Sequence, residues 1–169
     1  MRRLTYIICL TALLAGSAIA QTTAAQTTKE HHGQGYGFVA PGAVNDGSSS
    51  STMHFGVGGE GLIYKGLGVG GEIGYAIPTR RPEDGFGIFS ANGSYHFRHA
   101  SASGKLVPFV TGGYSLFFRS STGNAVNFGG GVNYWFREHA GIRAEFRDHV
   151  LTVDRNLHYF GFRIGFTFR

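Results

Sequence analysis

The sequence predicts an all-β protein, an eight-stranded antiparallel up-and-down β-barrel that crosses a membrane. Three observations lead to this prediction. Glycine (28 residues) and aromatic residues (14%) are abundant, whereas charged residues make up only 15% of the chain, below the roughly 25% of an ordinary soluble domain. Segments of about ten residues, long enough for a tilted strand to cross a bilayer, recur from Gly33 onward. Within these segments apolar and polar residues alternate with the period of two that is typical of a β-strand.

The predicted strands are residues 33–43, 53–63, 66–77, 86–97, 106–118, 125–136, 140–149 and 157–168. The last of them shows the alternation most clearly, because one face is aromatic or aliphatic and the other is small, polar or charged. The first face comprises Phe160, Phe162, Ile164, Phe166 and Phe168, and the second Gly161, Arg163, Gly165 and Thr167. Eight strands leave room inside for one layer of side chains. We therefore expect the bulky face to meet lipid and the small or polar face to line the lumen, the reverse of a soluble lipocalin-like barrel.

The first 32 residues are predicted to lie outside the barrel. Arg2 and Arg3, a short apolar stretch and Ala18-Ile19-Ala20 have the pattern of a signal peptide over residues 1–20. Residues 21–32 form a Thr-, Ala- and Gln-rich lead-in that we expect to be flexible. The barrel domain is then residues 33–169.

The predicted connections fall into two sets. With the N-terminus in the periplasm, the outer connections are 44–52, 78–85, 119–124 and 150–156, and the inner ones are 64–66, 98–105 and 137–139. Longer outer loops and short periplasmic turns are usual for such barrels. An even number of strands returns the C-terminus to the periplasm.

Several kinds of chemistry are disfavoured by the sequence. Cys9, the single cysteine, lies within the predicted signal peptide, so no disulfide, cysteine-bound metal or thiol nucleophile is expected after cleavage. The net positive charge is mild and scattered, which does not indicate nucleic-acid binding. His31 and His32 are interpreted as solvated residues of the lead-in, and no motif predicts a cofactor or a metal site.

Charged residues on the predicted inner face form the candidate site. Alternation directs three acids and three bases into the lumen, namely Glu60, Glu72, Arg143, Glu145, Arg147 and Arg163. An unpaired buried charge costs several kcal/mol, so we predict an ion-pair network that plugs the barrel, with Glu72 facing Arg143 and Glu145 across the lumen. The functional alternative is a gate or an ion path.

The aromatic residues are expected to form two girdles at the membrane interfaces. Near the periplasmic strand ends they are Tyr64, Tyr95, Phe97, Tyr134, Phe136 and Phe166. Near the outer ends they are Phe38, Phe55, Tyr75, Phe118 and Phe146.

From Gly33 to its end the chain resembles the small outer-membrane barrel family, the OmpA/OmpX-like barrel domains. The last strand, GFRIGFTFR, is similar to the aromatic-alternating signal of that family, with Phe166 and Phe168 at the matching positions. The family usually terminates in Phe, whereas Arg169 follows here. The resemblance implies location in the cell outer membrane, with lipid and lipopolysaccharide as partners and with periplasmic chaperones and the barrel-insertion machinery during biogenesis. It also implies a comparable interior charge network.

The leading hypothesis is a non-enzymatic barrel that has a structural or surface-interaction role, with an unidentified surface partner. A narrow channel for ions or small solutes is the first alternative. A lipid A-modifying hydrolase is the second, since His99-Ala100-Ser101 loosely resembles the His and Ser of outer-membrane deacylases. No catalytic residue is assigned, because that motif falls in a connection predicted to be periplasmic.

Overall fold

The structure is a computed structural model that describes residues 33–45, 49–98, 103–152 and 156–169. The predicted signal peptide and lead-in lie outside the described residues. The strands are β1 (Gly33–Asn45), β2 (Ser49–Tyr64), β3 (Leu67–Pro78), β4 (Phe86–His96), β5 (Leu106–Phe118), β6 (Thr122–Trp135), β7 (Ala140–Thr152) and β8 (Asn156–Phe168). Each strand pairs with the next in sequence, and β8 pairs with β1 to close the barrel. All of these pairings are antiparallel, which confirms the predicted fold class.

The two ends of the barrel differ in their connections. The terminal end carries the start of β1 and the end of β8, together with residues 65–66, 97–98, 103–105 and 136–139. The opposite, distal end carries residues 79–85 between β3 and β4 and residues 119–121 between β5 and β6. The end of β1, the start of β2, the end of β7 and the start of β8 also lie there. The expectation of long loops at the distal end was wrong, because the strands continue and their backbone ladders extend through predicted loop residues such as Ser51 and Thr122. Residues 79–85 are the longest distal connection and contain a 3₁₀ turn, Pro82–Asp84.

The turn between β2 and β3 requires glycine. Lys65 and Gly66 have φ angles of 42° and 93°, the positive pair expected of a two-residue type I′ hairpin. A Cβ on Gly66 would lie 2.4 Å from the carbonyl oxygen of His96. The same turn also accepts a hydrogen bond from β4: the His96 amide donates to the Gly66 carbonyl at 2.8 Å. Glycine therefore serves both the turn and its close contact with β4.

The barrel is apolar outside and polar inside. Val57 on β2 is 60% exposed and Phe166 on β8 is 61% exposed, whereas Glu145 and Arg147 on β7 are nearly inaccessible. This is the distribution of a barrel whose outer wall meets lipid rather than water. Within the described residues, no helix has the length and apolar character needed to cross a membrane.

Glycines on the inner face make room for large side chains from the neighbouring strand. A Cβ on Gly56 would come within 2.8 Å of the Phe38 ring, and one on Gly58 within 2.6 Å of the Tyr36 ring. The placement of Phe38 in an outer girdle was wrong, since both rings are buried inside the barrel. The missing side chains on β2 provide the space that β1 fills, so the inner face is bulkier than an alternation of small and polar residues suggests.

The closing seam between β1 and β8 has a gap. Pairs run from Gly35 with Phe168 to Val39 with Ile164, and resume at Gly42 with Gly161. Pro41 lies in the gap, and it has no amide hydrogen to donate to a ladder. Ala40 is the other unpaired β1 residue at this position. The seam is therefore held by two ladder segments.

Candidate functional site: the barrel lumen

The lumen is arranged in layers. Each inward-facing residue of β7 lies in a successive layer. From the terminal end towards the distal end β7 presents Arg143, Glu145, Arg147, His149 and Leu151. Charges thus give way to a neutral polar side chain and then to an apolar one. All five side chains are buried, because alternate residues of a strand point to the same face.

Glu72 on β3 binds two arginines across the lumen. Arg163 on β8 lies 2.8 Å from both carboxylate oxygens, and the Arg147 Nη1 on β7 lies 3.2 Å from Oε2. The Tyr36 hydroxyl donates to the same Oε2 at 3.2 Å. The specific expectation that Glu72 faces Arg143 and Glu145 was wrong. Strands in a barrel are tilted and staggered, so positions counted from the strand ends do not give equal heights on opposite walls.

Glu60 on β2 is the second acidic centre and lies nearer the terminal end. Its Oε1 accepts from Arg143 at 3.0 Å and from Gln34 at 2.5 Å. Its Oε2 accepts from Ser94, and the His96 Nε2 lies 3.0 Å away. His96 is therefore a hydrogen-bonded residue of the lumen, as its inward position on β4 indicates. Its contact with Glu60 was not identified in the sequence, because the relative heights of β2 and β4 are not readable there.

Glu145 on β7 links the two centres. The Arg143 Nε donates to one of its oxygens at 3.1 Å, and the Arg147 Nε donates to the other at 2.5 Å. Each of these arginines also binds a second acid, so the contacts are continuous. The structure brings together all the charges predicted for the lumen, and we call them the lumen charge network: Glu60, Glu72, Arg143, Glu145, Arg147 and Arg163.

Aromatic rings pack against two guanidinium groups of this network. The Arg143 Cζ lies 4.4 Å from the Tyr36 ring centroid and 3.9 Å from that of Phe109. The Arg163 Cζ lies 4.3 Å from the Phe38 ring centroid. Cations over aromatic faces are attracted by the ring quadrupole. These rings therefore fill the space around the charges and fix their positions.

A neutral polar row lies on the distal side of the charges. The Ser115 hydroxyl is its centre, lying 2.8 Å from the Ser90 hydroxyl and accepting from Asn127 at 2.9 Å. The His149 Nδ1 lies 3.0 Å from the same hydroxyl. We call these four side chains, Ser90, Ser115, Asn127 and His149, the polar row; they come from β4, β5, β6 and β7 and are all buried.

The distal part of the lumen is closed by an apolar layer. The distal apolar cluster comprises Ala76, Ile88, Phe117, Ala125, Leu151 and Tyr159. Val44, Phe86 and Leu157 pack against it from the rim. Strand alternation did not predict this cluster, because bulky residues were expected on the outer wall. Phe117 and Phe118 are adjacent on β5, and only Phe117 is buried.

The terminal mouth is covered by the last residue of the chain. The Arg169 guanidinium lies 4.1 Å from the Trp135 ring centroid, and its Nε donates to the Glu138 carbonyl at 2.9 Å. Trp135 is buried on the inner face of β6. Arg169, which follows Phe168 at the end of β8, is thereby held against the barrel.

The described lumen offers little for catalysis. Ser115 and His149 are in contact but have at most 1% exposure, so a substrate has no route to them. His99 and Ser101, the residues of the hydrolase hypothesis, lie outside the described residues. Across residues 33–45, 49–98, 103–152 and 156–169, no group of three or more metal-ligating side chains comes together.

The fold and its lumen define the class of protein: a closed, eight-stranded, up-and-down barrel of the transmembrane type. Neisserial surface protein A (NspA) has a similar structure, with a TM-score of 0.64 at 16% identity over 82% of this chain and 97% of that one. Comparison of the sequence with protein-family models and with curated proteins finds no match.

Two further solved structures have a similar fold. The N-terminal β-barrel domain of Pseudomonas aeruginosa OprF matches with a TM-score of 0.52 at 17% identity, covering 80% of this chain and 99% of that one. Ail, the attachment invasion locus protein of Yersinia pestis, matches with a TM-score of 0.53 at 14% identity. The match covers 82% of this chain and 100% of Ail. At these identities the likeness concerns the fold, which confirms the resemblance to small outer-membrane barrels.

Proposed function

We propose that this protein is a non-enzymatic barrel of the outer membrane, with a structural or surface-interaction role and a lumen closed by side chains. The lumen charge network carries the proposal. Its carboxylates and guanidiniums pair with one another, with relative side-chain exposures of 6% or less. Breaking such a buried pair is costly, so a solute has no low-energy path through the network.

Recordings from planar lipid bilayers test this closure. The refolded wild-type protein is expected to give no current above that of the bilayer alone. Stable single-channel openings of the wild type would contradict the proposal. A heat-dependent mobility shift on SDS gels establishes beforehand that the sample is a folded barrel. The absence of current then cannot be attributed to failed folding.

A narrow ion or small-solute channel is the second candidate. The observation that favours it is the continuity of polar contacts from Glu60 through Glu145 and Arg147 to Glu72 and Arg163. Such a channel would need to open the distal apolar cluster as well, because apolar constrictions exclude water and ions. Under this hypothesis the double variant, Phe117→Ala with Glu72→Ala, has a higher conductance in planar bilayers than either single variant. If neither substitution alters the conductance, the channel hypothesis is contradicted.

We infer that the outer wall spans the outer membrane and that Phe166 and Phe168 form part of the insertion signal. Both lie on the outer face of β8 and are more than half exposed, at 61% and 57%. Replacing both phenylalanines with serine is expected to reduce the amount of heat-modifiable protein in outer-membrane fractions. Ser substitutions at Phe160 and Phe162 on the same face serve as controls, because they also remove two exposed phenylalanine rings but lie away from the end of the strand.

Lipopolysaccharide is the proposed lipid partner at the distal rim. Arg80, Arg81 and Arg119 are exposed there, and phosphate groups bind arginine well. Replacing Arg80 and Arg81 with Gln should weaken binding of lipopolysaccharide vesicles but leave binding of zwitterionic vesicles unchanged. Equal loss for both vesicle types would count against this partner.

A further inference from the structure

His149 occupies the junction between the lumen charge network and the distal apolar cluster. It is only 1% exposed. Its Nε2 lies 3.4 Å from the Nη2 of Arg163, and its Nδ1 lies 3.0 Å from the Ser115 hydroxyl. Its ring is stacked on Tyr159 with centroids 5.6 Å apart, and it meets the Phe117 ring edge-on at the same centroid separation of 5.6 Å. One imidazole thus touches a charge, the polar row and the apolar layer.

These contacts define the protonation state of the imidazole. A guanidinium can only donate hydrogen bonds, so Arg163 requires the His149 Nε2 to be an acceptor. The proton of the neutral ring then resides on Nδ1 and is donated to Ser115. Asn127 also donates to Ser115, which leaves the Ser115 hydroxyl hydrogen for Ser90. The Arg163 guanidinium and the His149 Nδ1–H therefore both have acceptors only while His149 is neutral.

A second proton on His149 would have no acceptor. The titratable and charged groups around the ring are Arg163, Arg147, Glu72 and His54, together with the phenol of Tyr159 on β8. Glu72, the acid among them, is already bound by both arginines. The lumen charge network is balanced, with three carboxylates and three guanidiniums, so an imidazolium would add an unmatched positive charge beside Arg163. The Nε2–H would also point at an N–H of that arginine.

We propose that His149 is a proton-sensitive latch that holds the distal half of the lumen closed at neutral pH. Uptake of a proton at Nε2 breaks the contact with Arg163 and displaces the imidazole. Because the ring packs on Phe117 and Tyr159, its displacement loosens the distal apolar cluster, whereas the contacts of Glu60 at the terminal end remain. Acid therefore opens the barrel interior from the distal side.

The pH dependence of stability gives the first test. The folded state keeps His149 neutral, whereas the unfolded chain takes up a proton near the ordinary histidine pKa of about 6.5. The unfolded state therefore binds more protons below that pH, and stability falls as the pH is lowered from about 7.5 to about 5. One such group changes the unfolding equilibrium constant by up to about tenfold per pH unit.

The variants His149→Asn and His149→Gln separate this group from other histidines. Asn can keep the donor to Ser115, and Gln can keep the acceptor for Arg163, without titrating in this range. Each is expected to show a pH slope smaller by up to one proton. His158→Asn is the matched control, since His158 is a half-exposed histidine on the outer wall that binds Asp148. Wild-type pH dependence in both His149 variants would overturn the proposal.

Two direct readouts distinguish a latch from a merely buried histidine. Side-chain ¹⁵N NMR of the wild type should show the Nδ1–H tautomer of His149 at neutral pH; the Nε2–H tautomer would overturn the assignment. Hydrogen exchange between about pH 7.5 and 5, corrected for the intrinsic pH effect, should rise at the distal ends of β7 and β8 and not at Glu60. Uniform opening along these strands would contradict a distal latch.

Discussion

Arg163 and Glu72 are 91 residues apart in sequence and lie on β8 and β3, yet the arginine Nη1 lies 2.8 Å from each carboxylate oxygen. This pair crosses the lumen and ties together two strands that are not neighbours in the barrel. Tyr36, which donates to the same carboxylate, adds the first strand to the contact. The centre of the barrel is therefore held by side chains in addition to the backbone ladders.

The first prediction concerns this pair. Glu72→Gln leaves Arg147 and Arg163 without a matching charge and is expected to lower the free energy of unfolding by about 3–5 kcal/mol. Denaturant unfolding in lipid vesicles, followed by fluorescence of Trp135, measures the change. Glu83→Gln makes the same substitution at an exposed distal position and should stay within about 0.5 kcal/mol of wild type. Similar losses for the two variants would contradict the central role of Glu72.

The second prediction tests the fit between inner glycines and rings. Gly58→Val is expected to destabilise the barrel by about 1–3 kcal/mol, because its Cβ would lie 2.6 Å from the Tyr36 ring. Gly59 is the adjacent residue on the outer face, where the nearest atom to an added Cβ is 3.6 Å away. Gly59→Val should therefore be tolerated. Adding Tyr36→Ala to Gly58→Val should recover part of the loss, and the absence of any recovery would rule out this ring as the obstacle.

The third prediction concerns the tight turn between β2 and β3. Gly66→Ala imposes a side chain on a residue with φ of 93° and places a Cβ 2.4 Å from the His96 carbonyl oxygen. Gly104 also has a positive φ, 63°, but nothing lies within 4 Å of an added Cβ. We expect Gly104→Ala to cost about 1–2 kcal/mol for the left-handed backbone alone, and Gly66→Ala to cost more. Equal unfolding midpoints would show that the contact with β4 is unimportant.

The fourth prediction concerns the distal connection 79–85. Arg119 donates to the Asp84 carboxylate at 2.8 Å and to the Glu83 carbonyl at 2.7 Å, so it holds this connection against the turn between β5 and β6. Exposed ion pairs contribute little to global stability. Arg119→Ala should thus leave the unfolding midpoint nearly unchanged but accelerate trypsin cleavage after Arg80, since the Arg81–Pro82 bond is not a trypsin site. An unchanged cleavage rate would mean that another contact restrains the connection.

The fifth prediction uses the single tryptophan. Arg169→Ala removes the guanidinium that lies 4.1 Å from the Trp135 ring centroid, and acrylamide quenching of Trp135 fluorescence should increase. Arg169→Lys retains a cation of the same charge without the planar group, and an intermediate quenching constant is expected because stacking is weaker. Quenching equal to wild type in both variants would show that other residues shield Trp135.

The fold was predictable because strand alternation is a local signal. The faces of β3, β6 and β8 follow from their own residues, and Ile73 or Phe128 needs no partner to be assigned to the outer wall. The ends of the strands were less predictable. Ladders at the distal end continue through Ser, Thr and Asn residues, whose composition is equally typical of a loop.

The charged residues of the lumen could be predicted from the sequence, but their ion-pair partners could not. Each charge was placed inside by alternation, but the partner of Glu72 depends on the stagger of all the strands between β3 and β8. The burial of Phe38 and Tyr36 depends on glycines of the neighbouring strand, which only the register brings beside them. The distal apolar cluster likewise forms from residues of several strands, so the pattern within a single strand does not predict it.

The closing seam also governs how the chain reaches its final form. The hydrogen bond from Thr167 to the Gly35 carbonyl joins residues separated by 132 positions, so the barrel cannot close before the polypeptide has been synthesised as far as β8. Contacts of such long range are slow to form, and until they do both edge strands are open to other chains. A chain whose seam has not yet paired is therefore at risk of association with its own copies.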